Sequence, residues 1–209
     1  MRIKKSSFIW LLLVFLEVSP VLRAQTDSTP SREYAIKAAF LYNLTKFVDW
    51  PDNKVADSND SLVIGIIGKD SFGSAFEPIQ DKRVKNKKLL IKRFERLSQL
   101  RSHNEPDQNK LRQSVETWQR CHLLFVCASE KNEFTDILKS VAGHGVLTVG
   151  EIENFVDGGG IINFIPNKEK AVFEANLIAV KEARLRISSE VLRLAKRVIK
   201  EEPVDSNNK

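Results

Sequence analysis

Apolar residues recur at helical spacing over 32–50, with Ile36, Phe40, Leu44 and Phe47 on one stripe and Tyr34, Ala38, Leu41 and Val48 on its neighbour. Ser31 stands where an N-cap belongs, and Pro51 requires the helix to end by Trp50. Two adjoining stripes predict a helix buried on more than one side, inside the domain or against another chain. After a polar loop, the β-branched run 62–67, closed by Gly65 and Gly68, reads as a fully buried strand. Lys69, Asp70 and Ser71 then open a short helix toward Phe76.

Further along, 82–94 reads as a strand and turn, and the polar stretch 97–119 as an excursion with weak helical spacing at Leu111, Val115 and Trp118. Order returns with a strand at 122–127, an amphipathic helix at 129–141 carrying Phe134, Ile137, Leu138 and Val141, and a strand at 145–149. A short helix at 152–156 ends at Gly158, Gly159 and Gly160, and strands at 161–165 and 171–175 follow as an antiparallel hairpin. Two helical segments fill 177–200, the second capped by Ser188 or Ser189. Alternating strands and helices predict an α/β fold: a three-layer α/β/α sandwich with a mostly parallel central sheet and a C-terminal antiparallel hairpin.

Charge changes the picture only briefly. The chain has 33 Lys+Arg against 27 Asp+Glu and a pI near 9.3, which invites a nucleic-acid reading. However, Arg2, Lys4 and Lys5 precede a short apolar run from Phe8 to Leu16, followed by Pro20 and Ala24, the pattern of a secretory signal peptide removed after Ala24. That run is far below the roughly 20 residues of a membrane span. Without residues 1–24 the balance is 29 basic to 26 acidic. The expected organisation is therefore a cleaved signal peptide at 1–24, a flexible lead-in at 25–31, one α/β domain at 32–200 and a disordered tail at 201–209. Export excludes nucleic acid as a partner. Seven basic residues (Lys82, Arg83, Lys85, Lys87, Lys88, Lys92 and Arg93) remain concentrated in one segment, read as a solvated face that could also attract anions.

Candidate chemistry is sparse. Cys121 and Cys127 stand at the two ends of one strand, about 20 Å apart at 3.3 Å per residue, whereas disulfide Cα atoms lie within about 7 Å; both are expected to be free thiols. His122 points to the opposite face from Cys121, which argues against a nucleophile pair. The turn from Gly65 through Gly68 to Lys69 lacks the spacing of a phosphate loop. Glu151, Glu153 and Asp157 read as a solvated acidic face rather than a cation site. No catalytic residue, metal or cofactor is expected.

Six segments carry a resemblance: 34–51 (YAIKAAFLYNLTKFVDWP), 121–126 (CHLLFV), 145–149 (GVLTV), 158–164 (GGGIINF), 173–177 (FEANL) and 187–195 (ISSEVLRLA). In this order they resemble the YfiR family of exported proteins, from about Tyr34 to Val198. The resemblance implies a periplasmic, non-enzymatic regulator that restrains an inner-membrane diguanylate cyclase through its periplasmic sensor domain, affecting cyclic di-GMP and biofilm formation. It also implies sequestration by an outer-membrane lipoprotein; a second copy of the chain is a further candidate partner. Relatives carry disulfides, and 158–164 here has no cysteine, so redox control does not transfer.

On this reading the receptor, a cyclase or a sensor kinase, contacts Phe40, Tyr42, Phe47, Trp50, Gly158, Gly159, Gly160 and Asn163. An alternative is a periplasmic small-molecule binding protein, with a crevice at the strand C-terminal ends formed by Lys69, Asp70, Ser71 and Glu151.

Overall fold

The computed structural model describes residues 31–52, 54, 60–101 and 108–201. The expected signal peptide and nearly all of the lead-in and of the tail lie outside the described residues.

Helix α1 (Arg32–Leu44) begins where the pattern placed it, with the Ser31 hydroxyl accepting from the Tyr34 N–H. It is shorter than expected, because Thr45 caps it and the chain leaves as strand β1 (Val48–Asp49). β1 pairs antiparallel with β9 (Arg186–Ile187), joining Val48 to Ile187 and Asp49 to Arg186 in a separate two-stranded sheet. A partner strand so far along the chain, and two residues long, leaves no local periodicity to read.

The main sheet has eight strands in the order β10-β8-β7-β6-β5-β2-β4-β3. They are β2 (Ser61–Ile67), β3 (Arg83–Val84), β4 (Lys87–Phe94), β5 (Leu123–Val126), β6 (Leu147–Gly150), β7 (Ile162–Ile165), β8 (Val172–Asn176) and β10 (Arg197–Ile199). β4, β2, β5, β6 and β7 run parallel, β7 and β8 form the expected antiparallel hairpin, and β3 folds back on β4. From β2 the chain moves first outward to β4 and then across to β5, so strand order reverses between β2 and β5.

Alternate residues of each strand serve two cores. Ile64, Ile66, Leu123, Phe125, Leu147 and Val149 face one that α1 and α5 (Leu177–Glu182) cover. Ile67, Leu124 and Val126 face another under α2 (Leu97–Arg101), α3 (Gln108–Gln119) and α4 (Phe134–Val141). These are the three layers.

Other local expectations need correction. The segment after Gly68 turns through Asp70, whose carboxylate accepts from the Phe72 N–H, into a 3-10 helix at Gly73–Ile79. The expected helix at 152–156 is a series of turns around buried Phe155. Helices α2 and α3 replace the weak spacing expected within 97–119, and α3 seats fully buried Trp118. Within 177–200, α5 is followed by β9, the single-turn helix α6 (Ser189–Leu192) and β10, which lies parallel to β8. Ser188 caps α6 by accepting from the Glu190 N–H.

Candidate functional site

Ligands of open parallel sheets collect where strand order reverses, outside the carboxyl ends of the strands. In this chain that place lies beyond Ile67 and Val126, and the protein's own side chains fill it. The Lys69 N–H donates to Ser129 Oγ at 2.8 Å. Glu130, 1% exposed, accepts from Arg96 Nε, the Leu97 N–H and the Ser129 hydroxyl. Asp70 takes Arg93 Nε at 2.6 Å while holding the Phe72 N–H. Gly68, at φ +107°, is required here twice over, since a Cβ would also stand 2.5 Å from Ser129 Oγ.

One strand further, α1 closes over Glu151. Its carboxylate receives Lys37 Nζ at 2.7 Å, the Tyr34 hydroxyl at 3.1 and 3.2 Å, and the Ala128 N–H at 3.3 Å. Glu33, one helical turn before Lys37, pairs with the same ammonium at 2.7 Å. The Tyr34 ring meets Phe72 edge-on at 5.1 Å. Burial works against the Lys37 charge, but the hydrogen bonds to Glu151 and Glu33 outweigh it and raise its pKa. Burial likewise raises the Tyr34 phenol. All four expected crevice residues, Lys69, Asp70, Ser71 and Glu151, thus border this end of the sheet. Glu151 and Asp70 are engaged by internal partners. Lys37 escaped the sequence reading although it falls between Tyr34, Ala38 and Leu41 on the buried side of α1, and a lysine flanked in this way is itself a signal of a buried ion pair.

The expected contact residues divide by burial. Phe47 is exposed, Phe40 and Tyr42 are half-buried, and Gly158 and Gly159 lie on an exposed turn. Phe40 packs on Phe164 and Phe173. Trp50 is buried, its indole N–H donating to the His122 carbonyl at 2.9 Å. Asn163 is buried and accepts from the Ile152 N–H. Gly160 lies against the Phe155 ring, with no room for a Cβ.

A pocket of about 170 Å³ lies at the opposite end of the sheet, lined by Asp49, Trp50, Leu62, Lys85, Lys87 and His122. His122 Nδ1 accepts from the Val63 N–H, which leaves the proton of the neutral ring on Nε2, buried and without a partner. Burial, with Lys54 and Lys87 nearby, lowers its pKa to about 4. Cys121 and Cys127 are buried free thiols; burial pushes Cys121 up to about 12 and Cys127 higher still. A thiolate nucleophile is therefore not accessible at either position. Among the described residues no group of His, Cys, Asp and Glu is arranged to hold a metal ion.

Residues 34–196 match the YfiR/HmsC-like family. The chain belongs to that family. A search of the curated proteins finds no match. Among solved structures, the ABC domain from Streptococcus pneumonia in complex with L-Trp is similar with a TM-score of 0.50 and 12% identity, over 79% of this chain and 60% of that one. A conserved domain protein from Vibrio cholerae O1 biovar eltor gives 0.47 and 8%, over 77% and 59%. This member of the YfiR/HmsC-like family spans about 60% of the length of the solved structures it matches, and the first likeness is one of α/β fold. No helix among the described residues is long and apolar enough to cross a membrane.

Proposed function

We propose that this protein is a non-enzymatic periplasmic regulator that binds the periplasmic sensor domain of an inner-membrane signalling protein, a diguanylate cyclase or a sensor kinase, and restrains it. The family match over nearly the whole described chain carries this reading. Two features of the site support it. The ligand end of the sheet is closed by Tyr34, Lys37, Glu130 and Glu151, each satisfied by an internal partner, which disfavours the small-molecule alternative. The cysteines and His122 are buried without a nucleophile-base pairing, which disfavours a hydrolase.

On this reading the receptor meets the exposed Gly158–Gly159 turn, while Gly160 and Asn163 fix the shape of that turn from beneath. Phe40, half-buried over Phe164 and Phe173, completes the proposed contact. The deciding experiment is recovery of the protein from detergent-solubilised membranes, together with cyclic di-GMP measured after deletion of its gene. Co-purification with a transmembrane receptor and a rise in cyclic di-GMP are expected; absence of a receptor with an unchanged cyclic di-GMP level overturns the proposal.

A further inference from the structure

Two segments distant in sequence, 42–49 and 82–88, converge beside the end of α1. Lys46 Nζ stands 4.1 Å from the centre of the Tyr42 ring, and Lys82, leading into β3, stands 5.6 Å from the same ring. Lys85, in the β3–β4 turn, donates to the Val48 carbonyl at 2.8 Å and pairs with Asp49 at 2.6 Å, which fixes the hairpin against β1. Phe47, between Lys46 and Val48, is 40% exposed. Arg83 and Lys88 extend the exposed basic surface along the sheet edge.

Partners are unevenly distributed over this surface. Lys85 is held by Asp49 and Lys88 by Asp81. Lys46, Lys82 and Arg83 have no carboxylate partner among the described residues; Lys46 donates to the Asn43 side chain and Arg83 to the Asn86 carbonyl. Basic residues on an outermost strand protect it against edge-to-edge pairing. That accounts for Arg83 on β3, but not for the arrival of Lys46 and an exposed phenylalanine from the turn between α1 and β1.

The residue types choose between two kinds of partner. Protein interfaces are enriched in Arg and depleted of Lys, whereas this surface is lysine-rich. Flexible lysines are drawn to an anionic lipid surface additively, and each can lay its stem on apolar groups while its head remains in water. An aromatic side chain among them settles at the headgroup level. We infer that the edge formed by Lys46, Phe47, Lys82 and Arg83, with Tyr42 beneath the two lysines, docks on an anionic phospholipid surface.

The test is co-sedimentation of the full chain with phosphatidylglycerol–phosphatidylcholine vesicles and with pure phosphatidylcholine vesicles, at low and at physiological salt. Binding to the anionic vesicles alone, weakened by salt, is expected. The K46E/K82E double variant should lower the partition coefficient by about 30-fold or more, and Phe47→Ala should lower it at both salt concentrations. Circular dichroism melting confirms that both variants stay folded, since all three side chains lie at the surface or half-exposed beside it. Equal binding to both vesicle types, no binding to either, or undiminished binding by K46E/K82E overturns the inference. So does a result in which the double variant loses receptor binding and the wild type never binds lipid, which would make the edge a protein interface. The vesicles carry no receptor, so failure here leaves the regulatory proposal standing.

Discussion

Lys37 and Glu151, 114 residues apart in the chain, meet at 2.7 Å with their side chains 7% and 9% exposed. This contact fastens the first helix over the carboxyl end of β6 and closes the place where the fold would otherwise admit a ligand. Because Tyr34, Glu33 and the Ala128 N–H complete the cluster, no charge in it is left without a partner.

Removing Glu151 leaves Lys37 with Glu33 alone and takes the acceptor from the Tyr34 hydroxyl and the Ala128 N–H. Glu151→Leu is expected to lower stability by about 3 kcal/mol, read as a shift in the urea midpoint. Lys37→Met combined with Glu151→Leu should restore much of that loss, since an apolar pair of similar volume avoids the desolvation of both charges. A double variant no more stable than the single one would show that Glu33 and Tyr34, rather than the ion pair, dominate the cluster.

His122 gives the fold an acid sensitivity. The unfolded imidazole titrates near 6.5 and the buried one near 4, so between those values the unfolded chain holds the extra proton. Stability is therefore complete above about pH 6.5 and falls as pH drops toward about 4, by up to about 3 kcal/mol from this residue. His122→Asn can still accept from the Val63 N–H but does not titrate. Urea unfolding of both proteins at about pH 7 and about pH 5 should show the pH dependence reduced in the variant.

The three consecutive glycines should separate on substitution. Gly160→Ala places a Cβ 2.2 Å from the Phe155 ring and is expected to destabilise by several kcal/mol. Gly159, at φ +98°, has open space around it, so Ala there carries only backbone strain of about 1 kcal/mol. Thermal melts of the two variants measure the difference.

Asn176 joins three elements. Its Oδ1 accepts from the Ile178 and Ala179 N–H groups at the start of α5, and its amide donates to the Val156 carbonyl. Asn176→Ser keeps a capping oxygen and loses the donor, whereas Asn176→Ala loses both. Alanine should be the more damaging, by about 1 kcal/mol, in chemical denaturation.

Much of the architecture is legible in the chain because it is written in local period. The apolar runs read at 62–67, 122–127 and 145–149 hold β5 and most of β2 and β6, the spacing of Ile137, Leu138 and Val141 is that of a helix on a sheet, and the polar turn 166–170 between two apolar runs marks the hairpin. The ligand end of the sheet was visible too, through Lys69, Asp70, Ser71 and Glu151. Lys37 was not, since its partner lies beyond six strands of intervening chain.

Only tertiary structure decided the rest. β1, β9 and β10 are two or three residues long, and their extended form comes from partners distant in sequence. Phe47 and Trp50, both placed on the helical pattern of α1, separate completely: the indole finds the His122 carbonyl inside, and the phenyl ring stays outside beside Lys46. The sequence by itself determined alternation, burial pattern and family. The packing of α1 against Glu151 at one end and against the basic β3–β4 hairpin at the other depends on long-range charge and ring contacts, which chain order alone does not encode.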